Sequence, residues 1–113
     1  MFKQMKNVYL FMVHPSLQKY MPQIIALLKK HKVASAYLFG SAVSQRFNDE
    51  SDVDFLVNFQ DNLEPLEKGE LFWDLHDALR DRLGREIDIL SESALKNPFF
   101  IQEVKETRIK IYG

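Results

Sequence analysis

Asp52 and Asp54 stand two residues apart in Ser51-Asp52-Val53-Asp54-Phe55-Leu56-Val57, at the start of an apolar run that reads as a buried strand. In an extended chain side chains alternate faces, so the two carboxylates project from one side while Val53, Phe55, Val57 and Phe59 cover the other. Like charges held this close raise one another's pKa or recruit a counter-charge. Hard oxygen ligands at one point suit Mg²⁺, which usually takes one or two carboxylates together with substrate phosphates. Upstream, Gly40-Ser41 ends the apolar run Val33 to Phe39. A glycine there lets the backbone approach a ligand closely, and Ser41 can cap a short helix whose free N–H groups favour an anion. A third acid, Asp88, lies between Ile87 and Ile89.

These residues need elements to hold them. Val33 to Phe39 reads as a strand with Tyr37 and Phe39 on one face and Ala36 and Leu38 on the other, and Asp52 to Phe59 as a second. Leu71, Phe72, Leu75, Ala78, Leu79 and Leu83 recur at helical spacing ahead of Gly84, which predicts an amphipathic helix with a glycine stop. Glu86 to Leu90 alternates as a third strand, Asn97-Pro98 opens a helix that buries Ile101 and Val104, and Arg108 to Tyr112 alternates as a last strand. From Ser16, the spacing of Leu17, Tyr20, Ile24, Leu27 and Leu28 predicts a further helix, with Pro22 either in its first turn or kinking it. The apolar run Val8 to Val13 suits a strand or one face of a helix equally.

Composition bounds the answer. A chain of 113 residues is long enough for one compact domain with a real core, and a net charge of -1 gives no bulk attraction to nucleic acid or membrane. With no cysteine, disulfides, thiolate zinc sites and cysteine nucleophiles are excluded. Val8 to Val13 is too short for a signal-peptide core or a membrane span, so a cytoplasmic protein is expected. No two of His14, His31 and His76 are spaced for a metal site; His31 reads as a helper at a helix C-terminus and His14, before Pro15, as a turn residue. Lys68, Arg80, Arg82 and Arg85 read as surface charges, and Asp49, Glu50 and Glu86 as solvated groups. In a chain with nine Phe, Trp73 and Phe99-Phe100 read as core, with interface anchors as the alternative.

The ordered set is more telling than any one motif. Leu38-Phe39-Gly40-Ser41, then Ser51-Asp52-Val53-Asp54, then Ile87-Asp88-Ile89 resembles the nucleotidyltransferase superfamily that includes polymerase beta, and within it the minimal nucleotidyltransferase group. The resemblance implies an α/β nucleotidyltransferase fold. That is a small mixed sheet of about four strands with helices mainly on one face, in a single domain over 1–113 with a motif core at 33–90 and an N-terminal extension at 1–15. It also implies a catalytic and metal-binding set of Asp52, Asp54 and Asp88, with two Mg²⁺ ions bound alongside the nucleotide. Gly40, Ser41 and Ser51 would contact the triphosphate. Minimal members often carry Arg and Gly where this chain has Ser44 and Gln45, so Arg46 is weighed as a substitute phosphate ligand against a plain solvated loop arginine.

Stand-alone members of that group are typically antitoxins that adenylylate a small helical HEPN partner. The function implied is transfer of AMP from ATP to a hydroxyl of such a partner, with no direct nucleic-acid binding. The alternative is a module that neutralises the partner by contact, its chemistry weak or lost.

Overall fold

A computed structural model describes residues 12–44 and 46–113; the readings of Val8 to Phe11, of most of the 1–15 extension and of Gln45 fall outside it. The elements, in chain order, are α1 Pro15–Gln18, α2 Met21–Lys30, β1 Val33–Phe39, a 3-10 turn Gly40–Val43, β2 Val53–Phe59, α3 Pro65–Leu83, β3 Ile87–Ser91, a 3-10 turn Glu92–Ala94, α4 Pro98–Thr107 and β4 Ile109–Tyr112. The sheet has the order β3-β2-β1-β4. β1 is antiparallel to both β2 and β4, while β3 runs parallel to β2. This is the small mixed α/β sheet of four strands that the family resemblance implied.

The helix expected from Ser16 is two helices. His14 caps α1, its Nδ1 accepting from the Ser16 N–H at 3.2 Å, and the chain breaks at Lys19 and Tyr20 before Pro22 enters the first turn of α2. Proline's missing N–H costs nothing in a first turn, so Pro22 opens a helix and does not kink one. α2 ends at His31, which is buried and whose Nδ1–H lies 2.7 Å from the Leu27 carbonyl. α3 stops at Gly84, whose φ of 65° is left-handed and whose N–H reaches the Arg80 carbonyl at 2.8 Å. Asn97 caps α4, its side chain accepting from the Phe99 and Phe100 N–H groups at 2.9 and 3.3 Å.

Period two divides the sheet into two faces. Ala36, Leu38, Val53, Phe55, Val57, Ile87 and Ile89 meet Leu17, Ile24, Leu28, Leu75, Leu79 and Leu83 in one large core under α1, α2 and α3. The other face carries a smaller cluster of Phe39, Leu56 and Val104 beneath α4 alone, edged by Tyr37, Leu90 and Phe100. Asp52 and Asp54 therefore point to the thinly covered face, as the alternation requires.

Two of the aromatics read as core are not. Trp73 is 62% and Phe99 86% exposed, while Phe100 tucks against Phe39 with ring centroids 6.2 Å apart. Trp73 precedes Leu75 by two residues, which on a helix is more than half a turn away from the buried stripe. Nine phenylalanines argue for a large core, but helical phase decides which rings reach it.

Candidate active site

Strand register assembles the acids. Asp54 lies opposite Phe39 of β1 on one side and opposite Asp88 of β3 on the other. The residue after Phe39 is Gly40, with φ +68°, and a Cβ built there would run into the Asp54 carboxylate. Glycine is therefore required twice at this point, for its left-handed backbone and for the space its missing side chain leaves beside Asp54. Ser41 follows, its Oγ donating to the Asp52 carbonyl at 3.3 Å.

Burial and charge set the electrostatics. Asp52 and Asp88 are exposed and Asp54 is half-buried. Burial, then the Asp88 charge, then the Asp52 charge push the Asp54 carboxyl up to about 6. None of the three is in an ion pair among the described residues. The Asp52 and Asp88 charges thus bear on Asp54 with no ion pair among the described residues to offset them, an electrostatic setting that suits a cation. The shell is open, however. Among the described residues no group of three acidic or histidine side chains is drawn together as a closed shell. An ion that keeps water and phosphate ligands needs only one or two carboxylates from the protein, and the donor set fits that requirement.

The loop between Ser44 and Asp52 is tightly tied. Ser44 Oγ donates to the Ser41 carbonyl at 3.1 Å and accepts from the Arg46 N–H at 3.2 Å. Asn48 Oδ1 accepts from the Glu50 N–H at 2.8 Å, and Ser51 Oγ accepts from the Asn48 N–H at 3.0 Å. Ser51 thus shapes the turn with the hydroxyl that was expected at the nucleotide. Arg46 is exposed, and its guanidinium is in no ion pair among the described residues. The Gly40–Val43 segment is a single 3-10 turn. Its dipole is slight, so any grip on phosphate would rest on local N–H groups and the Ser41 hydroxyl.

Sequence reasoning missed Arg85. It reads as a surface charge, but its Nη1 donates to the Asn48 and Ser51 carbonyls, each at 3.0 Å, and its guanidinium lies over the Phe47 ring, 4.4 Å from the centroid. The available signal was Phe47, an isolated aromatic in a polar loop, which is 5% exposed and meets the His14 ring at 5.0 Å. By contrast, Arg80 does form a surface pair, 3.1 Å from Glu86, with both side chains more than half exposed.

The raised Asp54 pKa has a thermodynamic consequence. A carboxyl whose pKa is higher in the folded than in the unfolded chain adds stability below its unfolded value of 3.8, and that stability is lost as pH rises through about 6. Asp54→Asn is therefore expected to raise the melting temperature of the metal-free protein at pH 7.5 by roughly 4 °C, or about 1 kcal/mol once solvent screening is allowed for. Thermal melts from pH 4 to 8 check this: the gap between variant and wild type should widen from pH 4 to about 6 and stay level from there to pH 8.

Comparison with known proteins places these residues in context. A family model described as "Polymerase beta, Nucleotidyltransferase" matches residues 22–113. The chain is 34% identical over 85 residues to "Putative protein adenylyltransferase MJ0128" of Methanocaldococcus jannaschii, covering 75% of this chain and 83% of that one. Its fold superimposes with a TM-score of 0.65 on a chain of a toxin–antitoxin crystal structure with AMP-PNP, at 25% identity over 82% of this chain and 73% of the other. A TM-score of 0.59 at 24% identity, over 85% of this chain and 71% of the other, relates it in fold to a chain in a complex of a tri-AMPylated HEPN toxin with an MNT antitoxin from Shewanella oneidensis.

Proposed function

Because this chain belongs to the polymerase beta nucleotidyltransferase family, we propose that it is a Mg²⁺-dependent protein adenylyltransferase, the antitoxin of a pair, which transfers AMP from ATP to a hydroxyl of a small helical HEPN-type partner. One observation carries this reading: the Asp52 and Asp88 charges bear on the Asp54 carboxyl with no ion-pair partner for any of the three among the described residues, beside a glycine turn where an added Cβ would displace that carboxyl. The relative named as a protein adenylyltransferase and the toxin–antitoxin structure with AMP-PNP support this choice of acceptor class and nucleotide, and the fold shared with a chain of the AMPylated-toxin complex is consistent with it.

In this reading the acceptor oxygen attacks the α-phosphorus, the bond to the bridging oxygen of the β-phosphate breaks, and pyrophosphate leaves. Asp52, Asp54 and Asp88 would hold the divalent ions, and Asp88 would also take the acceptor's proton. When bound there, Mg²⁺ would supply neutralisation of the charge that develops during transfer. The Gly40 and Ser41 N–H groups and the Ser41 hydroxyl donate to the β and γ phosphates, with Arg46 as a further phosphate ligand and Ser51 shaping the loop beside them. Positioning and electrostatics provide most of the acceleration. The reading takes 1–113 as one domain acting in the cytoplasm; among the described residues no helix is long and apolar enough to cross a membrane.

The test mixes the chain with labelled ATP, Mg²⁺ and the product of the adjacent reading frame. A mass gain of one AMP on that product is expected, and no gain at any Mg²⁺ concentration removes the enzymatic claim. The exposed Trp73, Leu66 and Phe99 favour a second reading, neutralisation by contact. A variant with Asp52, Asp54 and Asp88 all changed to Asn separates the two: protection of cells that survives it makes binding sufficient, and protection that disappears while the complex persists makes chemistry necessary.

A further inference from the structure

Asp52 lies one residue ahead of β2, which begins at Val53, and the sheet reaches only its C-terminal peptide, where the Val53 N–H donates to the Glu86 carbonyl at 3.1 Å. The remaining hydrogen bonds to its two flanking peptide groups come from side chains. The carbonyl on its C-terminal side is its own, which accepts from Ser41 Oγ at 3.3 Å. The carbonyl on its N-terminal side is that of Ser51, which accepts from Arg85 Nη1 at 3.0 Å, and the same nitrogen holds the Asn48 carbonyl across the turn at 3.0 Å. The guanidinium is itself located by the buried Phe47 ring beneath it, and that ring by His14, whose backbone N–H donates to the Ala42 carbonyl at 3.0 Å. Arg85 follows Gly84, where α3 ends, and stands three residues ahead of Asp88. The segment that carries the third acid therefore grips the loop that carries the first.

We propose that Arg85 is a positioning residue that fixes Asp52 relative to Asp88 by clamping the Asn48 and Ser51 carbonyls over Phe47. The clamp rests on the active-site reading given above but touches neither nucleotide nor acceptor. It requires guanidinium geometry, because one planar group must present two N–H bonds to carbonyls while keeping a flat face on an aromatic ring. Lysine has the charge without the plane.

Arg85→Ala, Arg85→Lys and Phe47→Leu test it in the full chain. Amide hydrogen exchange of the metal-free protein, which needs no activity, should speed up in Arg85→Ala over residues 46–52 and stay as in wild type through β1, β2 and α3. With MgATP and the unmodified partner as acceptor, Arg85→Ala should lose about 100-fold, chiefly in kcat and not in KM for ATP, the scale expected when a reacting group is displaced by about 1 Å. Arg85→Lys should recover little of that, whereas added guanidinium should restore Arg85→Ala and leave the lysine variant and wild type unchanged. Phe47→Leu, which keeps both carbonyl bonds, should show a smaller loss of the same kind. Unchanged exchange over 46–52, wild-type turnover in Arg85→Ala, or exchange rising across the whole chain overturns the proposal. If wild type itself transfers no AMP, the functional reading fails and the exchange result alone decides the clamp.

Discussion

Asp52→Asn combined with Asp54→Asn is expected to lower AMP transfer at least ~1000-fold, equivalent to about 4 kcal/mol of transition-state stabilisation. Asparagine keeps the shape and removes the charge on which divalent-ion binding depends. The usual objection, that the variant has merely unfolded, runs the wrong way here. Burial and the neighbouring Asp88 and Asp52 charges oppose ionisation of Asp54, so neutralising it should make the metal-free protein more stable. A lost activity with a raised melting temperature is a signature that a purely structural role for the acids cannot produce. Single-turnover transfer from labelled ATP, measured beside a thermal melt, gives both numbers.

Gly40→Ala is expected to be nearly as damaging by a different route. The backbone there has φ +68°, and an added Cβ would overlap the Asp54 carboxylate. The left-handed backbone alone costs a non-glycine residue about 1 kcal/mol. Gly84 supplies a matched control, because it has φ +65° with nothing within 4 Å of its built Cβ. Gly84→Ala should therefore lose about 1 kcal/mol in a denaturant titration and keep its transfer rate. Gly40→Ala should lose more than that in stability, and transfer should fall roughly 100-fold because Asp54 is displaced. Equal behaviour of the two variants would mean that the approach of Gly40 to Asp54 has no catalytic meaning.

What could be read from the sequence follows from what periodicity encodes. The alternation of Val53, Phe55, Val57 and Phe59 names the face that is buried, and so the face that bears Asp52 and Asp54; the structure agrees at each residue. The helical stripe from Leu71 to Leu83 and the stop at Gly84 were equally legible, because both are local. The parallel pairing that sets Asp88 beside Asp54 was not, since nothing in either strand records its neighbour's direction. The break at Lys19 and Tyr20 was masked by apolar residues that keep helical phase across it. Arg85 escaped because its partners are backbone carbonyls more than thirty residues away, which leave no mark in a pattern of side chains.

The strand order also bears on how the chain assembles. β1 and β2 pair antiparallel, but β3 joins β2 in parallel and only after the whole of α3 has been traversed. Pairings across such long sequence separations are the slow ones to form. A nascent chain that has closed only its first two strands holds a pair of carboxylates and lacks the residue assigned to take the acceptor's proton. Catalytic competence then arrives in one late event, and a half-folded molecule has no means of spending ATP.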